Sequence, residues 1–457
     1  MELKLVYRVL RQLSQCSLNF YSEILVEGQE NVPPSGPVIL VACHPNEIMD
    51  IATLAVTIPH SRSIGFWAKA SLFKNPVLRA ILESASSIPV HRSSIKAEQG
   101  SPAEGPPKDH TQYLFRETFA SLSAGGVIGL FPEGTSYTHP HLPALKTGAA
   151  RVILEYARWQ MENNQKESTK PLVVVPVGIV YTDKSRYRSK VALPRYGRPI
   201  HYDGIAKLYL APSDNVPHSS ELEQVKRLTA EIERCMRELT LNAPSWDDLH
   251  CATIARDIIF ERLELSLQQY LSVTQGLIDH VSNSALVNSE ARTVLLGYHS
   301  LLYHTGISHS ALVNLYPTMK FPSRYEALSV FLKQLRDTVL HPRFWFFLPP
   351  CFVFAPAYIV GFLGKRYLGS PVGQETWAQF KAVLGGLAFG ITSVLLSRKL
   401  ASMVSVYLPT VIWSSSVPSV PLPSYAGSTI ALAGTVAVAY VSTHAFLRWQ
   451  DALVAGT

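Results

Sequence analysis

Between Pro37 and Pro199 short apolar runs alternate with amphipathic stretches. Val38–Cys43, Ile64–Ala68, Ser87–Arg92, Gly126–Phe131 and Leu172–Tyr181 read as strands. Glu47–Leu54, Asn75–Glu83, Gln112–Ser123 and Thr147–Asn163 read as the helices between them, with Asn75 as a cap before Pro76. Regular alternation of this kind predicts an α/β fold, a largely parallel sheet flanked by helices. Ser93–Asp109, rich in Ser, Pro, Gly and Lys, reads as a mobile loop, and Met161–Lys170 as a polar surface connection.

The pattern changes on both sides of this block. At the start, Leu3, Val6, Leu10, Leu13 and Phe20 recur at helical spacing, with Lys4, Arg8, Arg11 and Gln15 on the other face. Two readings stay open there: a basic amphipathic helix in a membrane interface, or a helix packed on its own domain. The basic residues interrupt any apolar core that a signal peptide would need. Downstream, Ser219–Leu241 and Asp247–Val281 read as helices separated at Ala243-Pro244-Ser245.

After His341 the chain becomes apolar. Phe344–Leu363 is uncharged and long enough to span a bilayer, although Pro349, Pro350 and Pro356 argue against a straight helix. Ala382–Ser397 is the return candidate, closed by Arg398 and Lys399, and Ala426–Leu447 is a further clean span. Two to four C-terminal transmembrane segments are expected. The resulting division is an interface helix at 1–30, an α/β domain at 31–205, a helical extension at 206–340 and a transmembrane region at 341–450.

Composition sharpens this picture in two places. Only 16% of the 457 residues are charged, and the net charge is +7. With no zinc array, basic zipper or aromatic-basic motif, a nucleic-acid partner is not expected; a lipid bilayer and anionic substrates fit the charge better. The five cysteines, Cys16, Cys43, Cys235, Cys251 and Cys351, are scattered without Cys-x-x-Cys spacing. They predict neither a disulfide framework nor a metal site, and fit a reducing, cytosol-facing compartment.

Four short motifs carry candidate chemistry. His44 ends the first strand and Asp50 lies six positions on, inside the following helix. A carboxylate that accepts from one imidazole nitrogen leaves the other free as a base, suited to an alcohol. Ile88–Arg92, with Lys69 upstream, offers Arg92 for a forked grip on phosphate. In Phe131-Pro-Glu-Gly-Thr-Ser136, Gly134 permits a tight turn. Its amides, Thr135 and Ser136 can donate to phosphate oxygens, and Glu133 can accept from a hydroxyl. Lys146 and Gly148 then open a helix whose N-terminus favours an anion. The fourth motif, Val175-Pro176-Val-Gly178, is by itself an ordinary strand.

In this order and spacing the four motifs resemble the glycerolipid acyltransferase family, which includes glycerol-3-phosphate and lysophosphatidate acyltransferases. The family pattern is His-x-x-x-x-Asp; here five residues separate His44 from Asp50. That longer spacing, Leu241-Asn-Ala-Pro-Ser-Trp-Asp-Asp248 with Ala252–Arg256, and the C-terminal apolar segments resemble the fungal glycerol-3-phosphate/dihydroxyacetone-phosphate branch. The resemblance implies His44 as general base and Asp50 as its orienting partner. It matches Arg92 to the basic residue of the second motif, Glu133 and Gly134 to the third motif, linked to acceptor binding, and Pro176 to the fourth, linked to the acyl donor. It further implies direct transfer from acyl-CoA, as substrate, to glycerol-3-phosphate or dihydroxyacetone phosphate, with no bound cofactor or metal. The setting it implies is the endoplasmic reticulum membrane, in a hairpin or multi-pass protein with its catalytic domain facing the cytosol.

Three rivals remain at this point. The acceptor could be lysophosphatidate. A thiol hydrolase could use Cys43, although neighbours on a strand point to opposite faces. The chain could also be a non-catalytic, lipid-binding membrane scaffold.

Overall fold

The computed structural model describes residues 5–21, 24–90, 108–163, 170–181, 192–211, 218–261, 263, 265–283, 289–315, 323–369 and 376–412. The chain divides into two compact units, Met1–Leu301 with Gly373–Glu375, and Leu302–Val372 with Thr376–Thr457.

In the first unit, helix α1 (Leu5–Tyr21) precedes strand β1 (Val38–Ala42), helix α2 (Ile48–Thr57), strand β2 (Ile64–Lys69), helix α3 (Pro76–Ser84) and strand β3 (Ile88–Val90). Helix α4 (Lys108–Ser123), strand β4 (Val127–Leu130), helix α5 (Gly148–Glu162) and strand β5 (Val173–Tyr181) continue the alternation. Strand β6 (Ala192–Tyr196) is followed by helices α6 (Asp203–Tyr209), α7 (His218–Glu238), α8 (Trp246–Ile259), α9 (Leu267–Ser282) and α10 (Ser289–Thr305). The sheet order is β3-β2-β4-β1-β5-β6. All neighbours are parallel except β5 and β6. The expected α/β class is therefore observed, with an antiparallel edge strand that the apolar pattern did not announce.

The reason for the parallel centre is visible in β1. All five of its side chains are buried, and its register pairs Val38–Val41 with Val127–Leu130 and Val38–Ala42 with Val173–Val177. A strand without a polar face needs cover on both sides, which crossover helices supply.

Of the two readings of α1, packing on its own domain is observed. Tyr7 and Leu18 are buried, and Arg11 donates to the Val56 carbonyl at 3.1 Å, so one side packs on α2. Val6 and Leu13, read as part of the apolar stripe, are exposed with Leu5 and Val9. The expected helix Asp247–Val281 is two helices. Ser266 starts α9 with a reciprocal capping box to Gln269, which favours a fresh helix start over continuation.

The second unit holds helices α11 (His309–Leu315), α12 (Arg324–Leu340), α13 (Pro342–Leu368) and α14 (Trp377–Ile412). Helix α13 runs unbroken through Pro349, Pro350 and Pro356, against expectation; apolar helices tolerate proline where neighbours re-satisfy the freed carbonyls. Helix α14 likewise continues past Arg398 and Lys399. The two pack closely: Phe354 stacks on Phe389 at 5.0 Å, and the Lys365 ammonium lies 3.7 Å from the Trp377 ring centre. Among the described residues one segment, Trp377–Leu396, is long and apolar enough to cross a membrane. Ala426–Leu447 lies outside the described residues.

Arg62, between α2 and β2, ties the base of the sheet. Its guanidinium donates to the carbonyls of Pro33 at 2.8 Å, Gly125 at 2.8 Å and Gly36. Arg62→Ala leaves three half-buried carbonyls to find other donors, and a loss of about 2–4 kcal/mol is expected. A fall in the thermal unfolding midpoint of the purified protein checks it; Arg62→Lys, with no fork, restores only part.

Candidate active site

The site forms where β1, β4 and β5 end. Cys43 still bonds to the sheet, its N–H donating to Val177 at 3.1 Å, and at His44 the chain leaves it. The turn that follows is tight. Met49 N–H returns to the Asn46 carbonyl at 3.0 Å and Asp50 N–H to that of Glu47 at 3.1 Å. Glu47 sits at φ 42°, ψ −119°, a region that glycine occupies easily and other residues only at a cost. Between His44 and Asp50 it is the residue with a positive φ, and α2 begins directly after it.

Asp50 consequently points back toward the strand from the first turn of α2. Its Oδ2 accepts from His44 Nδ1 at 2.9 Å and from Asn46 N–H at 2.7 Å, and its Oδ1 accepts from the Tyr181 hydroxyl at 2.7 Å. The Asp50 side chain has no solvent exposure, while that of His44 retains 15%. A carboxylate only accepts, so the pair holds the His44 proton on Nδ1 and leaves Nε2 with its lone pair. The imidazole stacks on Phe131 at 3.9 Å, and Phe131 on Phe66 at 5.7 Å, which fixes the ring plane.

The turn after β4 closes the other side. Gly134 adopts φ 74°, with its N–H on the Phe131 carbonyl at 3.0 Å. A Cβ there would stand 2.5 Å from the Lys146 ammonium, so Lys146 can cross this turn only because residue 134 is glycine. Glu133 Oε1 accepts the His44 backbone N–H at 3.2 Å. Its other oxygen is buried with no hydrogen-bond partner among the described residues. Burial raises the Glu133 pKa to about 8, helped by the nearby Asp50 charge and opposed by backbone N–H donors. Ser136 donates to Glu47 Oε1 at 3.1 Å, linking this turn to the strained one.

The sequence-derived residues are thus only partly gathered. His44, Asp50, Glu133, Gly134, Ser136 and Lys146 meet in one cluster. Thr135 is exposed on the same turn, and Lys69 is exposed at the carboxyl end of β2. Arg92 lies outside the described residues. Pro176 is buried within β5 opposite Val41, and its carbonyl accepts from Gly197 N–H at 2.8 Å. The strand reaches the cluster through Tyr181 instead, a residue that the motif reading passed over. Cys43 is occupied elsewhere: its sulfur accepts the Ile179 N–H at 3.0 Å and lies 3.6 Å from the Ile179 carbonyl.

Residues 23–180 match the family model described as Acyltransferase. The chain is 26% identical over 260 residues to glycerol-3-phosphate O-acyltransferase 2 of Saccharomyces cerevisiae, covering 55% of this chain and 32% of that protein. It is 26% identical over 154 residues to glycerol-3-phosphate O-acyltransferase 1 of the same yeast, covering 34% of this chain and 19% of the relative. It therefore spans a third or less of the length of these relatives. A solved structure of the 1-acyl-sn-glycerophosphate acyltransferase PlsC of Thermotoga maritima aligns at 16% identity and TM-score 0.33, over 51% of this chain and 80% of that one.

The raised Glu133 pKa sets a pH dependence. The folded state keeps this proton, and an unfolded glutamate loses it near 4.5. Folding through this group is therefore most favoured below pH 4.5, and the advantage is lost as pH rises toward 8. Glu133→Gln, which keeps an acceptor for the His44 N–H, removes the effect. Thermal midpoints measured from pH 5 to 9 are expected to fall less steeply for the variant, with its relative gain largest above pH 8.

Proposed function

We propose, from the premise that residues 23–180 are an acyltransferase-family domain, that the protein moves an acyl chain from acyl-CoA to the 1-hydroxyl of glycerol-3-phosphate, with dihydroxyacetone phosphate as an alternative acceptor. One observation carries the chemistry: a half-sheltered imidazole held by a buried carboxylate, with its second nitrogen free. The yeast relatives support the acceptor.

In this reading His44 Nε2 takes the proton of the acceptor hydroxyl as that oxygen attacks the thioester carbonyl. The new C–O bond forms, the C–S bond breaks, and the departing thiolate takes the proton back from the imidazolium. Asp50 holds the ring and stabilises its transient charge. Lys146, Lys69, Arg92 and the amide and hydroxyl donors of Gly134, Thr135 and Ser136 would neutralise the acceptor phosphate. The buried, unpaired oxygen of Glu133 is available to a substrate hydroxyl. Pro176 acts at one remove, by shaping the strand that the donor would pass.

The bilayer is part of the proposal. Trp377–Leu396 is a candidate span, and α13 and α14 expose Phe352, Ile359, Phe362, Leu387 and Ile391. Exposed apolar surface on this scale fits lipid better than water. A cytosolic donor and a lipid product together favour an endoplasmic-reticulum protein whose α/β unit faces the cytosol.

Transfer from labelled acyl-CoA to a panel of acceptors by the purified full chain tests the reading. Product is expected with glycerol-3-phosphate or dihydroxyacetone phosphate. His44→Ala and Asp50→Asn should each lower kcat/KM by about 10²- to 10⁴-fold, the range of a lost general base. Transfer to lysophosphatidate alone would replace the acceptor, and full activity in a folded His44→Ala protein would end the catalytic reading.

A further inference from the structure

The third bond to Asp50 comes from a residue 131 positions away in sequence. Tyr181 is the last residue of β5, and β5 lies beside β1 in parallel register. The strand that follows α5 thus delivers a phenol to the same carboxylate that β1 and α2 use. We infer that Tyr181 is a positioning residue, which fixes the plane of the Asp50 carboxylate and tempers the hold of Asp50 on His44.

The geometry supports this in two ways. Asn46 N–H and His44 Nδ1 both act on Oδ2, so by themselves they leave Oδ1 free to swing. The Tyr181 hydroxyl pins Oδ1 at 2.7 Å and removes that freedom. A donor on Oδ1 also withdraws negative charge from the carboxylate, so less is available to stabilise an imidazolium. Burial first, and the Asp50 charge second, raise the Tyr181 pKa well above its ordinary value, so the phenol keeps its proton at neutral pH.

Other titratable groups face the pair and must be held constant. They are Cys43 at the end of β1, and Glu133 and Tyr137 on the segment after β4. Glu47 faces Ser136, and Lys146 lies over Gly134. None of these donates to Asp50 Oδ1 among the hydrogen bonds of the described residues, so Tyr181 is the position at which this oxygen can be tested.

The inference rests on His44 acting as the base, and one measurement avoids that dependence. Carbethoxylation of His44 in the full-length protein, followed by mass spectrometry across pH, reads the ring's ionisation whatever the reaction. Tyr181→Phe keeps the ring and removes the donor. It is expected to move the His44 titration, and the acid limb of the kcat profile, to higher pH. Plateau kcat should fall about 10-fold while KM for donor and acceptor stays within about twofold, the split expected when an interaction realised in the transition state is lost. In an Asp50→Asn background the same substitution should add nothing, since the two act as a unit. A merely structural Tyr181 would lower the thermal midpoint and leave the titration in place.

Unchanged titration and unchanged kcat in folded Tyr181→Phe would overturn the inference, as would full multiplication of the two substitutions' effects. Should Tyr181→Phe lose its unfolding transition, 3-fluorotyrosine at position 181 serves instead. Its stronger donor should move the His44 titration to lower pH, and no movement overturns the inference equally. A His44→Ala protein that keeps its activity would sink the acyltransfer reading alone, because the carbethoxylation result stands apart from it.

Discussion

A buried carboxylate is tolerated only if donors surround it, and Asp50 is the point on which this domain turns. Its side chain has no exposure. Stripping the hydration from such a group costs several kcal/mol unless hydrogen bonds replace it. Three donors do so, and each comes from a different part of the fold: the strand end at His44, the turn at Asn46 and the far end of β5 at Tyr181. The parallel β1–β5 register, the start of α2 and the strain at Glu47 are all conditions for that convergence. A one-residue slip of β5 would reverse the face on which Tyr181 stands and leave Oδ1 unpaired.

The same arrangement explains which features the chain announces in advance. Apolar runs such as Val38–Cys43 and Leu172–Tyr181 marked the central strands to within a residue or two, because a strand buried on both faces has almost no polar choice. His44, Glu133, Gly134 and Lys146 were visible as a local motif beside those strands. Tyr181 was not, since its partner lies 131 residues away and nothing in its neighbourhood marks the contact. Pro176, which the resemblance links to the acyl donor, sits inside the sheet opposite Val41. The packed face of α1 was not legible for a related reason. Periodicity finds an apolar stripe but not its packing partner, and Tyr7 and Leu18, off that stripe, are the residues buried. The continuity of α13 through three prolines reflects tertiary support that propensity alone does not carry.

Strain and bonding are linked across the two turns. Glu47 occupies a backbone region costing about 1–3 kcal/mol for a residue with a side chain. Such conformations persist where the surroundings over-determine them. Here the Glu47 carboxylate accepts from Ser136 and its carbonyl accepts from Asp50 N–H. The connection between His44 and Asp50 is therefore held from both the α2 side and the β4 side.

On the proposed chemistry the cluster faces an electrostatic problem, because an anionic acceptor must approach Asp50, Glu133 and Glu47. Charge bookkeeping within the site relieves it. Glu133 carries its proton up to about pH 8, so near neutrality it meets the substrate as a neutral group. Asp50 is sealed from solvent, and its charge is shared among three donors. Glu47 is turned onto Ser136. Lys146 remains exposed, crossing the one position where glycine leaves room for it. The proton on Glu133 then has two consequences from one cause: burial beside Asp50 keeps the group neutral, and neutrality lets its unpaired oxygen meet a hydroxyl in an otherwise acidic corner. Exposing Glu133 to water would undo both together, which makes the packing of Phe131 and His44 around this turn as much an electrostatic device as a steric one.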